Sequence, residues 1–428
     1  MKYEKLLKIS IVSPEFRNFH FDRSVNMLYR KMPKSGDNLS LLGFGCMRLP
    51  AKRGKVDEQK AIELIRYSID KGVNYVDTAW PYHGGQSEVV LGKALKDGYR
   101  QKVKIADKLP VWLCRNREDM DYYLGEQFKR VGVDVFDYYL IHSLDGSSWE
   151  KAKQAGVIDF MNKAKESKKI VNAGFSFHGA RHEFKKIIDE YNWDFCQVQF
   201  NILDENDQAG IEGVRYAASK NIGVIVMEPL RGGALAGRLP AVVEKVYKTS
   251  PKQRSNAEWA LRWVMDHKEV VTVLSGMGEK SQAEENVRIA GEAVPGSLTK
   301  EELSIVKTAA ETFRKLMKVP CTGCQYCMPC PAGVNIASAF SFYNNKYLFK
   351  QGFMNRAMYL VQNGGLMGKT PSLAGQCVSC GVCKTHCPQK INIPVELVKV
   401  KKEFEGFLLK PMLFLLNLMF SAGKRKRK

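Results

Sequence analysis

No stretch of this 428-residue chain offers the roughly 20 unbroken apolar residues that a membrane-spanning helix needs. The nearest approach, FLLKPMLFLLNLMF close to the C-terminus, is interrupted by Lys410, Pro411 and Asn417. A secretory leader is not readable either, because the apolar run of MKYEKLLKISIV is broken by Lys8 and no small-residue cleavage site follows. No Gly-x-Gly-x-x-Gly turn follows the first apolar strand, which argues against an open doubly wound sheet. Nucleic-acid and flavin motifs are missing too. Acid is scarce: 45 Asp and Glu face 66 Lys and Arg, a net charge of +21. About half of that excess lies in residues 1–34 and the terminal KRKRK. Such a charge suits an acidic electron carrier, a phosphorylated cofactor or an anionic surface, while lysines scattered through helices read as solvated faces.

What is present is cysteine in an unusual arrangement. Eight of eleven cysteines form two runs, Cys321, Cys324, Cys327, Cys330 and Cys377, Cys380, Cys383, Cys387, with Pro331 and Pro388 directly after them. Three cysteines at C-x2-C-x2-C spacing let one loop wrap a cubane, and the Cys before Pro reaches the neighbouring cluster. Two 4Fe-4S centres are therefore expected, one on Cys321, Cys324, Cys327 and Cys387, the other on Cys377, Cys380, Cys383 and Cys330. The halves repeat as CPAGVNIASAF and CPQKINIPVEL. The first run departs from the usual pattern, with two rather than three residues before its last cysteine. Zinc on paired C-x2-C motifs is the alternative, but it has no use for a third step or a Cys-Pro ending. Free thiols on this scale point to a reducing, cytoplasmic setting. Cys46, Cys114 and Cys196 read as buried, inert thiols.

Between Leu41 and Ala290 short apolar runs alternate with longer amphipathic ones. Eight candidate strands lie at LLGFGCMRL, NYVDTA, VKIADKL, DYYLIHS, IVNAGFS, DFCQVQF, GVIVMEP and VVTVLSG. Eight such units in about 250 residues match a (β/α)8 TIM barrel, an α/β fold. A hairpin turning at Gly36-Asp37 would close its floor. The expected division is an N-terminal extension over 1–26, with Met27 as the start of the folded unit, the barrel over 27–297, and a linker helix over 298–317 capped by Thr299 and Glu302. A small, mainly helical dicluster ferredoxin-like domain follows over 318–400, then an apolar and basic tail over 401–428.

Active sites of such barrels sit at the C-terminal ends of the strands. Asp77 closes the second candidate strand, Tyr82 follows in its loop, Lys108 ends the third and His142 the fourth. That set suits carbonyl reduction: Tyr82 donates a proton to the carbonyl oxygen, Lys108 lowers the phenol from its ordinary pKa of about 10, Asp77 orients the lysine, and His142 holds the oxygen.

With these residues in that order, the chain resembles the aldo-keto reductases over about residues 27–295, and specifically those with a C-terminal ferredoxin-like domain. The similarity is carried by GFGCMRLP, VDTAWPYHGGQSE, KLP, YYLIH, GFSFH, QVQFN, MEPLRGG and SGMGEKSQAEEN. It implies the Asp77, Tyr82, Lys108, His142 tetrad with hydride from a nicotinamide cofactor. It also implies Ser176 and Gln197 at the carboxamide, Pro229, Leu230 and Gly232 at the pyrophosphate, and Gln282, Glu285 and Asn286 at the adenosine. Phe177 stands where many members have Asn, and Gln282 where NADP-preferring members often have Arg. NADP and NAD both stay open, with Lys280 and Arg288 the only cations close in sequence.

The resulting expectation is an iron-sulfur oxidoreductase exchanging hydride between NAD(P)H and a small carbonyl compound. Electron transfer between a ferredoxin-type partner and a two-electron substrate, or a non-enzymatic relay, are the alternatives. No nucleic-acid partner is expected. The tail is expected to pack on the module, with an anionic membrane surface as the other reading.

Overall fold

In the computed structural model, residues 26–52, 55–321, 323–387 and 389–421 are described; the expected extension before Asn26 and the KRKRK terminus lie outside them. Eight parallel strands close a barrel: β1 Leu42–Gly45, β2 Tyr75–Asp77, β3 Lys104–Leu109, β4 Phe136–Leu144, β5 Ile170–Phe177, β6 Phe195–Gln199, β7 Gly223–Met227 and β8 Val270–Ser275. Each coincides with an apolar run singled out above. Closure is by β8 on β1, where Val273, Leu274 and Ser275 pair with Leu42, Gly43 and Phe44.

The helices between strands are α1 Glu58–Asp70, α2 Gln86–Ala94, α3 Arg117–Val131, α4 Gly146–Gln154, α5 Val157–Glu166, α6 Arg181–Asp189, α7 Gly210–Ser219, α8 Ala241–Tyr247 and α9 Asn256–Met265; α10, Lys280–Glu292, follows β8. Their buried faces follow helical spacing, as in α1, where Ala61, Leu64, Ile65, Ser68 and Ile69 turn inward. The floor hairpin pairs Tyr29–Lys31 with Asn38–Ser40 and turns through Gly36 at φ 76°. It seats Met32 and Leu39 under Tyr75, Tyr138 and Phe195. Packing there is tight: a Cβ on Gly223 would overlap the Met32 sulfur, so only glycine lets β7 pass over the plug.

Helix α11, Lys300–Leu316, opens with a reciprocal cap: Thr299 Oγ1 accepts from Glu302 N at 3.1 Å and Glu302 Oε2 accepts from Thr299 N at 2.9 Å. Its Ile305, Val306, Ala309, Ala310 and Phe313 join the barrel's core.

The C-terminal module has a separate core around Phe340, Tyr359, Leu397, Val400 and Phe404. Its helices are α12 Ile336–Leu348, α13 Phe353–Asn363, the single-turn α14 Val382–His386, α15 Ile393–Phe404 and α16 Leu409–Ser421. The tail helix α16 lays Leu409, Met412, Leu413 and Leu416 on this core and leaves Phe414, Leu415, Leu418 and Met419 exposed. Among the described residues no single helix is long and apolar enough to cross a membrane; α15 and α16 reach that length only as a pair bent by 70°.

The module sits on the mouth of the barrel, not beside it. Trp112 Nε1 donates to Phe420 O at 3.3 Å, Lys151 Nζ to Gly368 O at 2.6 Å, and Ser147 and Thr370 hydroxyls meet at 2.7 Å. Trp112, Ser147 and Lys151 all follow the C-terminal ends of strands, the face on which barrels do their chemistry.

Candidate active site and cluster-binding loops

Asp77, Tyr82, Lys108 and His142 converge at that mouth. Lys108 is wholly enclosed, and its Nζ donates to Asp77 Oδ1 and Thr78 O, both at 2.6 Å. The same ammonium lies 4.8 Å from the centre of the Tyr82 ring. Tyr82 and His142 meet edge to face at 6.0 Å, and Trp112 flanks His142 at 5.3 Å. The register of β4 against β5 shifts between Ile141 and Leu144, and Ser143 takes a φ of 62°. This irregularity re-aims His142 at the strand end.

The electrostatics correct one expectation. Burial raises the Tyr82 phenol to about 12, and the opposing pull of Lys108 does not overcome it. Tyr82 as a whole is half-buried, and desolvation is the largest cause of the shift, so charging the phenol there is costly. Burial also works against the Lys108 ammonium, but Asp77 and Tyr82 outweigh it and hold its pKa above the usual lysine value. His142 is held well below the ordinary imidazole value by burial and then by Lys108, so it is neutral, and its Nδ1 is buried without a hydrogen-bond partner.

Behind Lys108 lies a network that sequence spacing could not reveal, since its members come from α2, α3 and two strands, β3 and β4. Gln127 Nε2 donates to Glu88 Oε1 at 3.0 Å, Asp107 Oδ1 at 2.8 Å and Lys108 O at 3.0 Å; its Oε1 accepts from Tyr139 at 2.7 Å. His178, next to Phe177, also faces the mouth. Burial is the main cause that lowers it to about 3, and its Nδ1 pairs with Gln208 Oε1 at 3.2 Å.

A histidine depressed in the folded state binds protons more weakly than the unfolded chain does. Its stabilising contribution is therefore whole above pH ~6.5 and falls as pH drops toward about 3. Wild-type protein is expected to lose chemical stability over that window, and His178→Gln to lose less; urea unfolding at pH 7.0 and 5.0 is the check.

The residues singled out for a nucleotide lie along the adjoining strand ends. Ser176 Oγ accepts from Ser143 N at 2.7 Å, Asn286 Nδ2 donates to Ser275 Oγ at 3.0 Å, and Gln282 Oε1 accepts from Gly278 N at 2.9 Å. Gln197 Oε1 is buried without a partner, an acceptor suited to an amide N–H. Pro229 is buried, Leu230 half-buried and Gly232 exposed in the loop after β7, while Glu285 is half-buried on α10. Arg48, unnoticed in the sequence, crosses this region: a Cβ at Gly232 would stand 3.0 Å from its Nη2, and Gly276 lies against its side chain. Arg288 is committed to Glu258 at 2.6 Å, which leaves the exposed Lys280 as the freer of the two cations near the adenosine end.

In the module, Cys321, Cys324, Cys327 and Cys387 line one cavity together with Ile336, Phe340 and Ile391. Among the described residues no three His, Cys, Asp or Glu are gathered tightly enough for a single metal ion, and four thiols around one cavity are the donor set that a 4Fe-4S cluster takes. Around Cys383 the neighbouring thiols that act on it, after burial itself, are Cys330, Cys377 and Cys380. Cys387 of the second run thus borders the cavity of the first run, and Cys330 of the first run is among the thiols close enough to act on Cys383. Ser379 N points at Cys377 Sγ at 3.4 Å. The first cluster loop touches the barrel: Gln325 Oε1 accepts from Arg181 N at 2.7 Å and its Nε2 donates to Gln208 O at 3.3 Å. Arg231, in the loop after β7, pairs with Asp204 at 3.2 Å and also hydrogen-bonds Ser341 of α12. The second loop faces solvent, with Val378, Ser379 and Cys380 exposed.

Compared with known proteins, residues 41–311 match the model of the "Aldo/keto reductase family". The chain belongs to the aldo/keto reductase family. Residues 320–391 match the "4Fe-4S dicluster domain". L-galactose dehydrogenase of Arabidopsis thaliana is 27% identical over 311 residues, 67% of this chain and 95% of that protein. The NADH-specific methylglyoxal reductase of Escherichia coli is 25% identical over 333 residues, 65% of this chain and 96% of that protein. Among solved structures, the aldo-keto reductase AKR11C1 from Bacillus halodurans in its holo form superposes with a TM-score of 0.56 at 27% identity, covering 66% of this chain and 96% of that one. All three similarities cover about two thirds of this aldo/keto reductase, against nearly the whole of each relative.

Proposed function

We propose that this aldo/keto reductase reduces a small carbonyl compound with NAD(P)H, with Tyr82 as the proton donor. The observation that carries this reading is the enclosed Lys108, bound to Asp77 at 2.6 Å and set beneath the Tyr82 ring. A bound nicotinamide supplies the hydride. The carbonyl oxygen sits between the Tyr82 hydroxyl and the neutral His142; Tyr82 gives up its proton as negative charge grows on that oxygen, and the Lys108 ammonium stabilises the phenolate left behind. The product is the alcohol, and the phenolate regains a proton from water. Ser176 and Gln197 would hold the carboxamide, the Gln197 Oε1 accepting from its N–H; Pro229, Leu230 and Gly232 would border the pyrophosphate, and Gln282, Glu285 and Asn286 the adenosine. The names of the relatives, a sugar dehydrogenase and a methylglyoxal reductase, support a small carbonyl or its alcohol as substrate.

The crossed cysteine sets support two 4Fe-4S clusters, which exchange single electrons with a carrier. The exposed second loop, with the exposed Lys384 and Lys390 following Cys380 in sequence, favours an acidic ferredoxin-type partner at that end. Thiolate ligands in this number favour a reducing, cytoplasmic setting.

The test is an aldehyde panel with cofactor deuterated at the transferable position, using full-length protein prepared anaerobically. Deuterium is expected at the former carbonyl carbon of the alcohol, detected by mass spectrometry; unlabelled alcohol, or no alcohol with any aldehyde and either nucleotide, refutes the reading.

A further inference from the structure

The seam between module and barrel mouth encloses a lysine that the proposed chemistry does not use. Lys369 lies in the turn after α13, only 5% exposed, with its N–H donating to Leu366 O at 3.2 Å. The turn is held to the barrel on both sides of this residue, by Lys151 on Gly368 O and by Ser147 on Thr370. Gly368 lies against Trp112, where a Cβ would stand 3.4 Å from the tryptophan Cβ. Trp112 in turn flanks His142. The turn that carries Lys369 is thus held against the barrel mouth beside the Trp112–His142 pair.

The charges around it agree. The Lys369 ammonium is among the charges that lower both His142 and His178, so it lies on their side of the seam and within their electrostatic reach. Asp145 and Glu183 are the carboxylates that act on it, yet both have other work. Asp145 caps α4, accepting from Ser148 N and Oγ at 2.8 Å, and Glu183 accepts from Ala180 N at 2.7 Å. Among the described residues the Lys369 ammonium makes no ion pair or side-chain hydrogen bond. An ammonium has three donors and no acceptor, and enclosing it unpaired is expensive, which leaves a place for an anion.

We propose that Lys369 is a specificity-determining residue that pairs with an anionic group, carboxylate or phosphate, on the carbonyl substrate. The inference rests on the carbonyl-reductase reading above. It makes the module a working part of the pocket, because a barrel without it lacks this cation.

The experiment compares aldehydes that differ only in charge, with anaerobically prepared full-length protein: 4-carboxybenzaldehyde against 4-carbamoylbenzaldehyde, succinic semialdehyde against its amide, and 4-formylphenyl phosphate as the phosphate arm. The wild type is expected to favour an anionic member by about tenfold or more in kcat/KM, mainly through KM. Lys369→Met should remove that preference and Lys369→Arg keep most of it; the larger loss, on carboxylate or on phosphate, identifies the source of the anion. Equal use of charged and neutral members by the wild type, or a preference that survives Lys369→Met, overturns the proposal. Should no aldehyde be reduced, the carbonyl reading fails by itself. Lys369 is then judged by calorimetric binding of benzoate and of phenyl phosphate: at least one at least tenfold weaker in Lys369→Met upholds the anion site, and unchanged affinity for both ends it. Unaltered cluster absorbance in the variants shows that the module still folds.

Discussion

Tyr82→Phe is expected to lower kcat for aldehyde reduction by about 10²–10⁴-fold, the usual worth of a positioned general acid. The size of the effect follows from how poorly His142 and Lys108 can replace the phenol. His142 is held well below the ordinary imidazole value, so near neutral pH it is the uncharged imidazole, which can donate a hydrogen bond but is too weak an acid to give up its proton. Lys108 is an ammonium, but two of its three protons are turned to Asp77 Oδ1 and Thr78 O. Removing one hydroxyl leaves the ring contacts of Tyr82 with His142 and Lys108 in place. Nucleotide affinity should therefore stay within about twofold, as judged by fluorescence titration, because Ser176 and Gln197 keep their positions. A loss in affinity with kcat intact would reassign Tyr82 to binding, and turnover close to wild type would remove it from the chemistry. The raised phenol also has a consequence for direction. With its pKa pushed up to about 12, Tyr82 stays protonated across the neutral range, which suits donation during reduction better than proton removal from an alcohol.

Cys387→Ala and Cys321→Ala are expected to remove the same 4Fe-4S centre. Each should bring iron from about eight to about four atoms per chain and leave the same residual paramagnetic signal after dithionite reduction. Cys330→Ala and Cys377→Ala should remove the other centre and leave the complementary signal. The expectation rests on the shared cavity of Cys321, Cys324, Cys327 and Cys387 and on the thiols around Cys383. Cys330→Ala leaving the same signal as Cys321→Ala would mean that each run serves its own centre. The effect should be large in stability too, since metal binding by such loops is folding free energy. Variants of the first set should disturb the barrel as well, because Gln325, between Cys324 and Cys327, is bonded to Arg181 and Gln208 on its rim.

All eight barrel strands were legible in the sequence because each is a short apolar run followed by helical spacing, a signal set by neighbours along the chain. The tetrad was legible for a related reason: Asp77, Lys108 and His142 stand near the C-terminal ends of consecutive strands, and closure of the barrel brings such ends together. The expectation of crossed cysteine sets likewise came from the C-x2-C-x2-C spacing and the Cys-Pro endings, a signal confined to short stretches of chain. The mainly helical character expected of the module is met between the cysteine runs by two helices, α12 and α13, with the break over residues 349–352.

The sign of the Tyr82 shift was not legible. Spacing shows that Lys108 is near, but not how much water is left at the hydroxyl, and burial wins. Nor could spacing show that Arg48 crosses to the β7 and β8 loops, or that Arg231 bridges Asp204 and Ser341.

By itself the sequence determined the barrel and placed Asp77, Tyr82, Lys108 and His142 at its mouth, and it set the expectation of two crossed cysteine runs, because each depends on periodicity or short spacing. Only the tertiary structure decided that the module covers the barrel mouth and carries Lys369 to within the field of His142. That proximity joins segments more than two hundred positions apart, and it comes from shape and desolvation, neither of which leaves a mark in the order of residues.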